Sequence, residues 1–472
     1  MVEVSLKWLK RCTEIPVLLL FFSFMVSDSV NTNFIIYRTC YVTLDFEESA
    51  CAKLGTSNPD NDTQALEKTV EPYANVVMMT QSLLTQIFPA FLCLFIGPWS
   101  DKRGRKPVLT CTLIGYTLAS IAQIVVASFP SWSPWYLLSV SVTITLFGGF
   151  SPFLMAVLCY ITDITSEKER GFRIGVFETM LVVGMLLGSL CSSYVFAFGG
   201  YLAVFGLVTV CDLLALLYVI FVVTESVANP NDEGEDVPVF AFKHIADMLR
   251  TTFSPRENYV RCVLLLTIVI LTLYILGSTS DSSVFYLFLR FKFQWSLERY
   301  TLYKSLKDLF WIVGIYFGLA VLHRLLKIGE TPLMLLGFST YFVSELIQGF
   351  ANANWQIYLA GGIRCVSGVI SPMARSLISK LVPKEDSGKI FSISVTVESL
   401  TGMVGSPLYT FIYNATIDTN PGAFNFLTAG IFCLEIVLVI TVIIIQKALL
   451  NVHPYRALSV NVDGSEEDVR DS

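Results

Sequence analysis

The chain has 472 residues, 54 % of them hydrophobic and only 15 % charged, with a formal net charge of −6. Soluble globular proteins carry roughly 25 % charged residues, so too little polar surface is present to cover a water-soluble body of this size. The apolar residues instead form long runs, and about 20 in a row cross a bilayer as a helix that satisfies its own backbone hydrogen bonds.

Twelve such segments follow in chain order: 15–37, 75–97, 107–128, 135–161, 174–197, 200–223, 262–289, 302–321, 332–350, 356–381, 389–412 and 424–446. The last is typical, since Phe424 to Ile445 contains one charge, Glu435. Lys7, Lys10 and Arg11 precede the first segment, which continues too far for a cleaved signal peptide and reads as a retained helix. The eighth is interrupted at its start by Lys304, Lys307 and Asp308. Residues 224–260 are polar, acidic from Asp232 to Asp236 and then basic at Lys243, Arg250 and Arg256, and read as a cytoplasmic linker. The expected fold is therefore an all-α membrane protein of twelve transmembrane helices. It divides into a six-helix half at 1–223, the linker 224–260, a second half at 261–448 and a cytoplasmic tail at 449–472.

The halves echo each other. Lys102, Gly104 and Pro107 recur at the same spacing as Lys327, Gly329 and Pro332, and Ser151-Pro152 is matched by Ser371-Pro372. Together the echoes favour two parallel repeats. With a cytosolic N-terminus, the external stretches hold only Arg38, Lys53, Lys68, Arg290, Lys292 and Arg299 among the basic residues. The positive-inside rule thus puts both termini in the cytosol. The sequons at Asn61 and Asn414 then fall outside, Asn61 within a long external loop, 38–74. Cys40 and Cys51 share that loop, as a disulfide or as a free pair. Other cysteines sit inside apolar runs as packed or lipid-facing thiols, with no metal-ligand spacing among them. No nucleotide-binding G-x-x-x-x-G-K-[ST], H-E-x-x-H or G-x-S-x-G occurs, so neither an ATP-driven pump nor an enzyme is expected.

Between the second and third segments runs Gly97-Pro98-Trp99-Ser100-Asp101-Lys102-Arg103-Gly104-Arg105-Lys106. It resembles the G-x-x-x-D-x-x-G-R-[RK] signature of major facilitator transporters. Gly104 permits a tight turn, and Asp101 can sit against a helix N-terminus or an arginine. A contact of that kind, made in one conformation and broken in the other, gates alternating access; the plainer reading is a basic cytosolic hairpin. Arg105, with Asp163 and Arg170 of a later loop, joins this expected gate.

A second stretch runs from Phe147-Gly148-Gly149-Phe150 through Asp163 and Arg170 to Phe172-Arg173-Ile174 and Phe177-Glu178. With Ser371-Pro372-Met373-Ala374-Arg375-Ser376-Leu377-Ile378-Ser379-Lys380-Leu381-Val382, it is similar to the proton-coupled folate transporter family, solute carrier family 46, over nearly the whole chain. That resemblance implies proton coupling at Glu178, and proton and substrate binding at Arg375. The residues agree on their own terms, since a charge at a bilayer centre costs about 2.5–3.5 kcal/mol on insertion scales and seldom faces lipid. An embedded carboxylate can exchange protons near neutral pH, and a guanidinium can grip an anion with two donors. The blander readings are that Glu178 caps a helix end near Arg173 and that Arg375 pairs with a carboxylate elsewhere.

Asp281 and Tyr286 are expected at the substrate, with Phe285 and Trp311 along the path; Glu345, Arg364, Glu398, Asp212 and Glu435 read mainly as interfacial or interhelical pairs. The chain also departs from the folate transporter. Leu276 stands where that protein has histidine, Gly149 where it has aspartate, and Gln294 where a cysteine pairs with the external loop. Other branches of the family are associated with cyclic dinucleotides, muropeptides and conjugated organic anions. The expected activity is proton-coupled symport of a small organic anion such as folate, a cyclic dinucleotide or a muropeptide. The proton is the coupling ion, and no cofactor or metal is implied. The competing reading is a transporter-like receptor that binds ligand without net transport. The lipid bilayer, of the plasma membrane or an endolysosome, is the expected surrounding; no nucleic acid polymer is needed, and one chain suffices without oligomerisation. Tyr455-Arg456-Ala457-Leu458 resembles a tyrosine-based sorting signal.

Overall fold

The computed structural model describes residues 12–52, 54, 61–227, 242–255, 259–295, 297–417 and 419–452. The acidic part of the linker and the Tyr455 signal lie outside them. All regular structure among the described residues is helical. The long elements are α1 (Glu14–Arg38), α2 (Asn61–Arg103), α3 (Lys106–Ser128), α4 (Leu138–Leu146), α5 (Phe150–Ile164) and α6 (Glu167–Phe221). They continue as α7 (Phe242–Phe253), α8 (Val260–Phe293), α9 (Leu297–Tyr316), α10 (Glu330–Gly349), α11 (Asn354–Ile363), α12 (Ile370–Lys380), α13 (Ser387–Thr416) and α14 (Ala423–Val452).

Nine of these stretches are long and apolar enough to cross a membrane, one of them covering both predicted segments 174–197 and 200–223. That stretch is α6, which bends at Gly199 and Gly200. Segments 332–350 and 389–412 correspond to α10 and α13, which fall outside the nine. Both carry polar faces, with Ser344 and Glu345 on one and Ser392, Ser394, Thr396 and Glu398 on the other, all buried. Large apolar side chains stand fully outward elsewhere, Phe198 at 92 % and Phe221 at 78 % exposure. In water such a surface would aggregate; against lipid it is matched.

Several boundaries differ from the sequence reading. The predicted segment 135–161 is broken at Gly148 and Gly149, both at positive φ. A Cβ on Gly149 would lie 2.6 Å from Pro89 Cγ, so close packing on α2 and the backbone turn both require glycine there. The external stretch 38–74 is shorter as a loop than expected, because α2 begins at Asn61. Cys40 and Cys51 are joined in a disulfide that closes this turn. The linker contains the helix α7, which packs beneath α2 and α13.

The helices before residue 223 pack chiefly on one another, α1 and α3 against α6. Those after residue 260 do likewise, α10 against α14 and α8 against α13. The two groups meet where α13 crosses α2 and α5, and where α12 and α9 lie on α6. One apolar core runs through both groups, from Val17 and Leu113 to Phe391 and Val439.

Candidate functional site: an ionic gate and a buried arginine between two glutamates

The signature turn lies where α2 meets α13. Gly104 adopts φ 103°, the left-handed region the turn requires. Gly97 and Gly388 face each other, and a Cβ on Gly97 would come within 2.7 Å of the Gly388 carbonyl oxygen. This close approach lets Asp101 reach the first turn of α13, where its carboxylate accepts from the backbone N–H groups of Gly388 (2.9 Å) and Lys389 (3.2 Å). Unpaired amides and the helix dipole favour an anion there. The same carboxylate is paired with Arg105. Asp101 was expected against a helix N-terminus or an arginine, and it meets both.

Arg105 is almost fully buried and gathers the rest of the turn. It donates to Asp163 (3.2 Å), Ser100 (2.5 Å) and Ser387 (3.2 Å). Arg170 donates to the backbone carbonyl of Ser379 at 2.8 Å, and Lys384 to that of Asp163 at 3.2 Å. Asp101, Arg105 and Asp163 thus form one network reaching α13, and Arg170 makes a separate tie between α6 and α12. Glu225, which the sequence reading passed over, holds the turn from behind by accepting from the backbone N–H groups of Arg105 (2.8 Å) and Lys106 (3.1 Å).

Further into the bundle, Glu178 lies about 12 Å beyond Arg170 along α6. It does not cap a helix end beside Arg173, since Arg173 is paired with Glu14 of α1 at 2.5 Å. Glu178 accepts instead from Ser371 Oγ at 2.6 Å and faces Arg375 Nε at 3.4 Å, so α6 and α12 are joined here. The stronger partner of Arg375 is Glu398 of α13, with Nη2 to Oε2 at 2.7 Å. Arg375 Nε also donates to Ser371 Oγ at 3.2 Å, and Ser394 Oγ donates to Glu398 Oε1 at 2.8 Å. Arg375, Glu178 and Glu398 are all more than nine-tenths buried. Arg375 Nη1 is buried with no hydrogen-bond partner. Of the two readings weighed for Arg375, the structure shows the pairing with another carboxylate.

Tyr274 is the α8 residue that belongs here, in the field of Glu178 and Arg375. Tyr286 lies about 18 Å further along α8, its ring 4.8 Å from that of Tyr300, and is not brought to Arg375. Asp281 is on the same helix, but its side chain lies outside the described residues. Phe285 is buried in an aromatic cluster with Phe288 and Tyr303 rather than lining a path. Arg364 pairs with Glu345 at 3.4 Å and caps the Tyr341 ring at 3.9 Å, an interhelical pair as expected. Asn414 is exposed in the last turn of α13; Asn61 opens α2, and its side chain lies outside the described residues.

A multi-pass helical bundle with a closed ionic turn at one end and an embedded arginine among carboxylates has the construction of a membrane transporter. Residues 20–406 match the Major Facilitator Superfamily. The chain is 33 % identical over 438 residues to the Drosophila melanogaster "Probable peptidoglycan muropeptide transporter SLC46", covering 90 % of this chain and 84 % of that protein. It is 24 % identical over 364 residues to the rat proton-coupled folate transporter, 74 % of each chain. Among solved structures, the human organic anion transporter MFSD10 superposes with a TM-score of 0.70 at 15 % identity, over 90 % of this chain and 97 % of that one. FucP in the outward conformation gives 0.65 at 13 % identity, over 91 % and 98 %. The chain belongs to the Major Facilitator Superfamily and, within it, to solute carrier family 46. Its relatives are transporters, not enzymes.

Proposed function

We propose that the protein is a proton-coupled symporter of a small organic anion, with twelve transmembrane helices in two six-helix halves and both termini in the cytosol. The observation that carries this reading is Arg375, buried between a carboxylate of α6 and one of α13 and lying where the two groups of helices meet. A cation in that position can hold an anion while either side of the bundle opens. Glu178, one hydrogen bond from the same centre, is the proton carrier. On this reading the network around Asp101 and Arg105 is the cytosolic gate, supported by the tie Asp101 makes from α2 to the start of α13. Protonation of Glu178 weakens its hold on Arg375, and the freed cation takes the substrate. The anion classes supported by relatives are muropeptides, folates, and steroid conjugates with bile acids. Muropeptides come first, because that relative is the most similar of the three.

The test is uptake of a labelled muropeptide, folate and a sulfated steroid into cells, at about pH 5.5 and about pH 7.4, a range over which an embedded carboxylate changes charge. Wild type is compared with Glu178→Gln and Arg375→Ala at matched membrane levels. The expected result is saturable, acid-stimulated uptake of one probe, lost in Arg375→Ala and less stimulated by acid in Glu178→Gln. Saturable binding without accumulation would move the protein to the receptor class.

A further inference from the structure

The buried cluster around Arg375 has an open donor and an excess of negative groups, and neither is used by a proton site at Glu178 alone. A guanidinium holds a carboxylate or phosphate best with two parallel N–H donors. Glu398 takes only Nη2, at 2.7 Å, and Nη1 is buried without a partner. Arg375 is 4 % exposed, so bulk water does not reach the open donor. The other carboxylate oxygen of Glu398 already receives the Ser394 hydroxyl of its own helix at 2.8 Å, which marks where that side chain can rest when it leaves Arg375.

The charges point the same way. One guanidinium between two carboxylates leaves a surplus negative charge if both are ionised. Burial of an uncompensated charge costs several kcal/mol, so a proton shared by the pair makes the empty site neutral. The groups beside Glu398 are the Cys93 thiol of α2 and the Ser394 hydroxyl. Tyr274 of α8 lies in the field of this cluster and also of Glu435 of α14 and of Arg364, which is paired with Glu345. From α5 only a hydroxyl approaches this stretch of α13, Ser151 at 3.0 Å from Ser399.

We propose that Glu398 is a resident counter-ion that the substrate anion displaces from Arg375, taking up one proton as it leaves. The substrate's carboxylate or phosphate would accept from Nη1 and Nη2 together, and Glu398 would turn to Ser394. Its carboxylate becomes a carboxylic acid with a proton from the aqueous side. The arriving negative charge replaces the one neutralised, so the cluster keeps its charge. One monovalent anion therefore enters with one proton in addition to the one the empty pair already shares. Glu398 is a positioning residue by this account, since it acts on the substrate through Arg375. The proposal rests on Arg375 being the anion anchor.

The experiment is calorimetric titration of the purified protein in lipid nanodiscs with a muropeptide and with folate. Two buffers of different ionisation enthalpy count the protons taken up per anion bound. For wild type, about one proton is expected per bound negative charge, so affinity falls as pH rises, by about tenfold per pH unit. In Glu178→Gln, Glu398 is the one carboxylate left beside Arg375, and the proton count and pH slope persist. Adding Glu398→Gln removes both, while Glu398→Asp in the same background restores them. Loss of the count in Glu178→Gln, or its survival in the double variant, would overturn the proposal. Where the double variant does not reach the membrane, wild type decides: an anion bound with no proton taken up overturns the proposal. Arg375→Ala that binds as tightly as wild type brings down the anion-anchor reading itself, a separate result.

Discussion

The gate and the central cluster are both built from an arginine set among carboxylates, yet they are finished differently. At the gate, Asp101 is met by Arg105 and by two backbone amides of α13, and Arg105 is surrounded by Asp101, Asp163, Ser100 and Ser387. Such a network specifies one arrangement and resists change. In the centre, Arg375 keeps one buried donor without a partner and holds Glu398 by a single contact. On the proposed reading, the saturated network closes a passage and the unsaturated one takes a ligand.

The largest effect should come from the centre. Arg375→Ala leaves Glu178 and Glu398 buried without their cation and should destabilise the folded protein by about 3–5 kcal/mol. Thermal unfolding in detergent measures it, and Glu178→Gln added to Arg375→Ala should recover part of the loss. A variant as stable as wild type would mean that the two carboxylates do not depend on Arg375.

At the gate, packing should matter more than charge. Gly97→Ala sets a methyl group 2.7 Å from the Gly388 carbonyl oxygen, and relieving that overlap should cost about 1–3 kcal/mol by moving α2 from α13. A cysteine introduced at Ser387, buried here, should then react faster with an aqueous thiol reagent. Unchanged reactivity would show that the two helices part elsewhere.

Asp101→Asn keeps the shape and removes the charge that caps α13, so a loss of about 1–2 kcal/mol is expected. The same Ser387→Cys reporter should respond in the same sense, but less than to Gly97→Ala. A larger response would reverse the ranking of packing over charge.

The smallest effect belongs to the Glu330–Lys380 pair at the start of α10. Burial pushes the Glu330 carboxyl up, and Lys380 more than offsets this, holding it below the usual carboxylate range. Its stabilisation, at most about 1 kcal/mol for a partly exposed pair, is complete above the unfolded value of about 4.3 and is lost as pH falls through the lower folded value. The difference in melting temperature between wild type and Glu330→Gln should vanish in that acid range and be constant above it. A difference that grows with acidity would contradict the direction of the shift.

Much of the signature turn was legible in the sequence because its residues are neighbours in the chain. Asp101, Gly104 and Arg105 fall in one short turn, whose needs for a left-handed residue and a charge partner are local. The embedded residues were legible one at a time, because a charge in an apolar run stands out. Their pairing was not. Glu398 is separated by 23 positions and a turn of chain from Arg375, and Glu178 by 197. Which of several embedded carboxylates meets the arginine depends on how α6, α12 and α13 cross. Tyr286 was expected at the substrate, but α8 carries it about 18 Å beyond Tyr274, against Tyr300.

By itself, then, the sequence determined the class of protein: long apolar runs with few charges admit only a helical membrane chain, and the signature turn and the Ser371–Val382 stretch placed it in its family. Tertiary structure decided the rest. It broke the fourth predicted segment at Gly148 and Gly149, joined Cys40 to Cys51, and chose Glu398 as the close partner of Arg375. The physical reason is range. Hydropathy and turn chemistry act over a few residues, whereas hydrogen bonds and ion pairs between distant helices exist only once packing has set the distances.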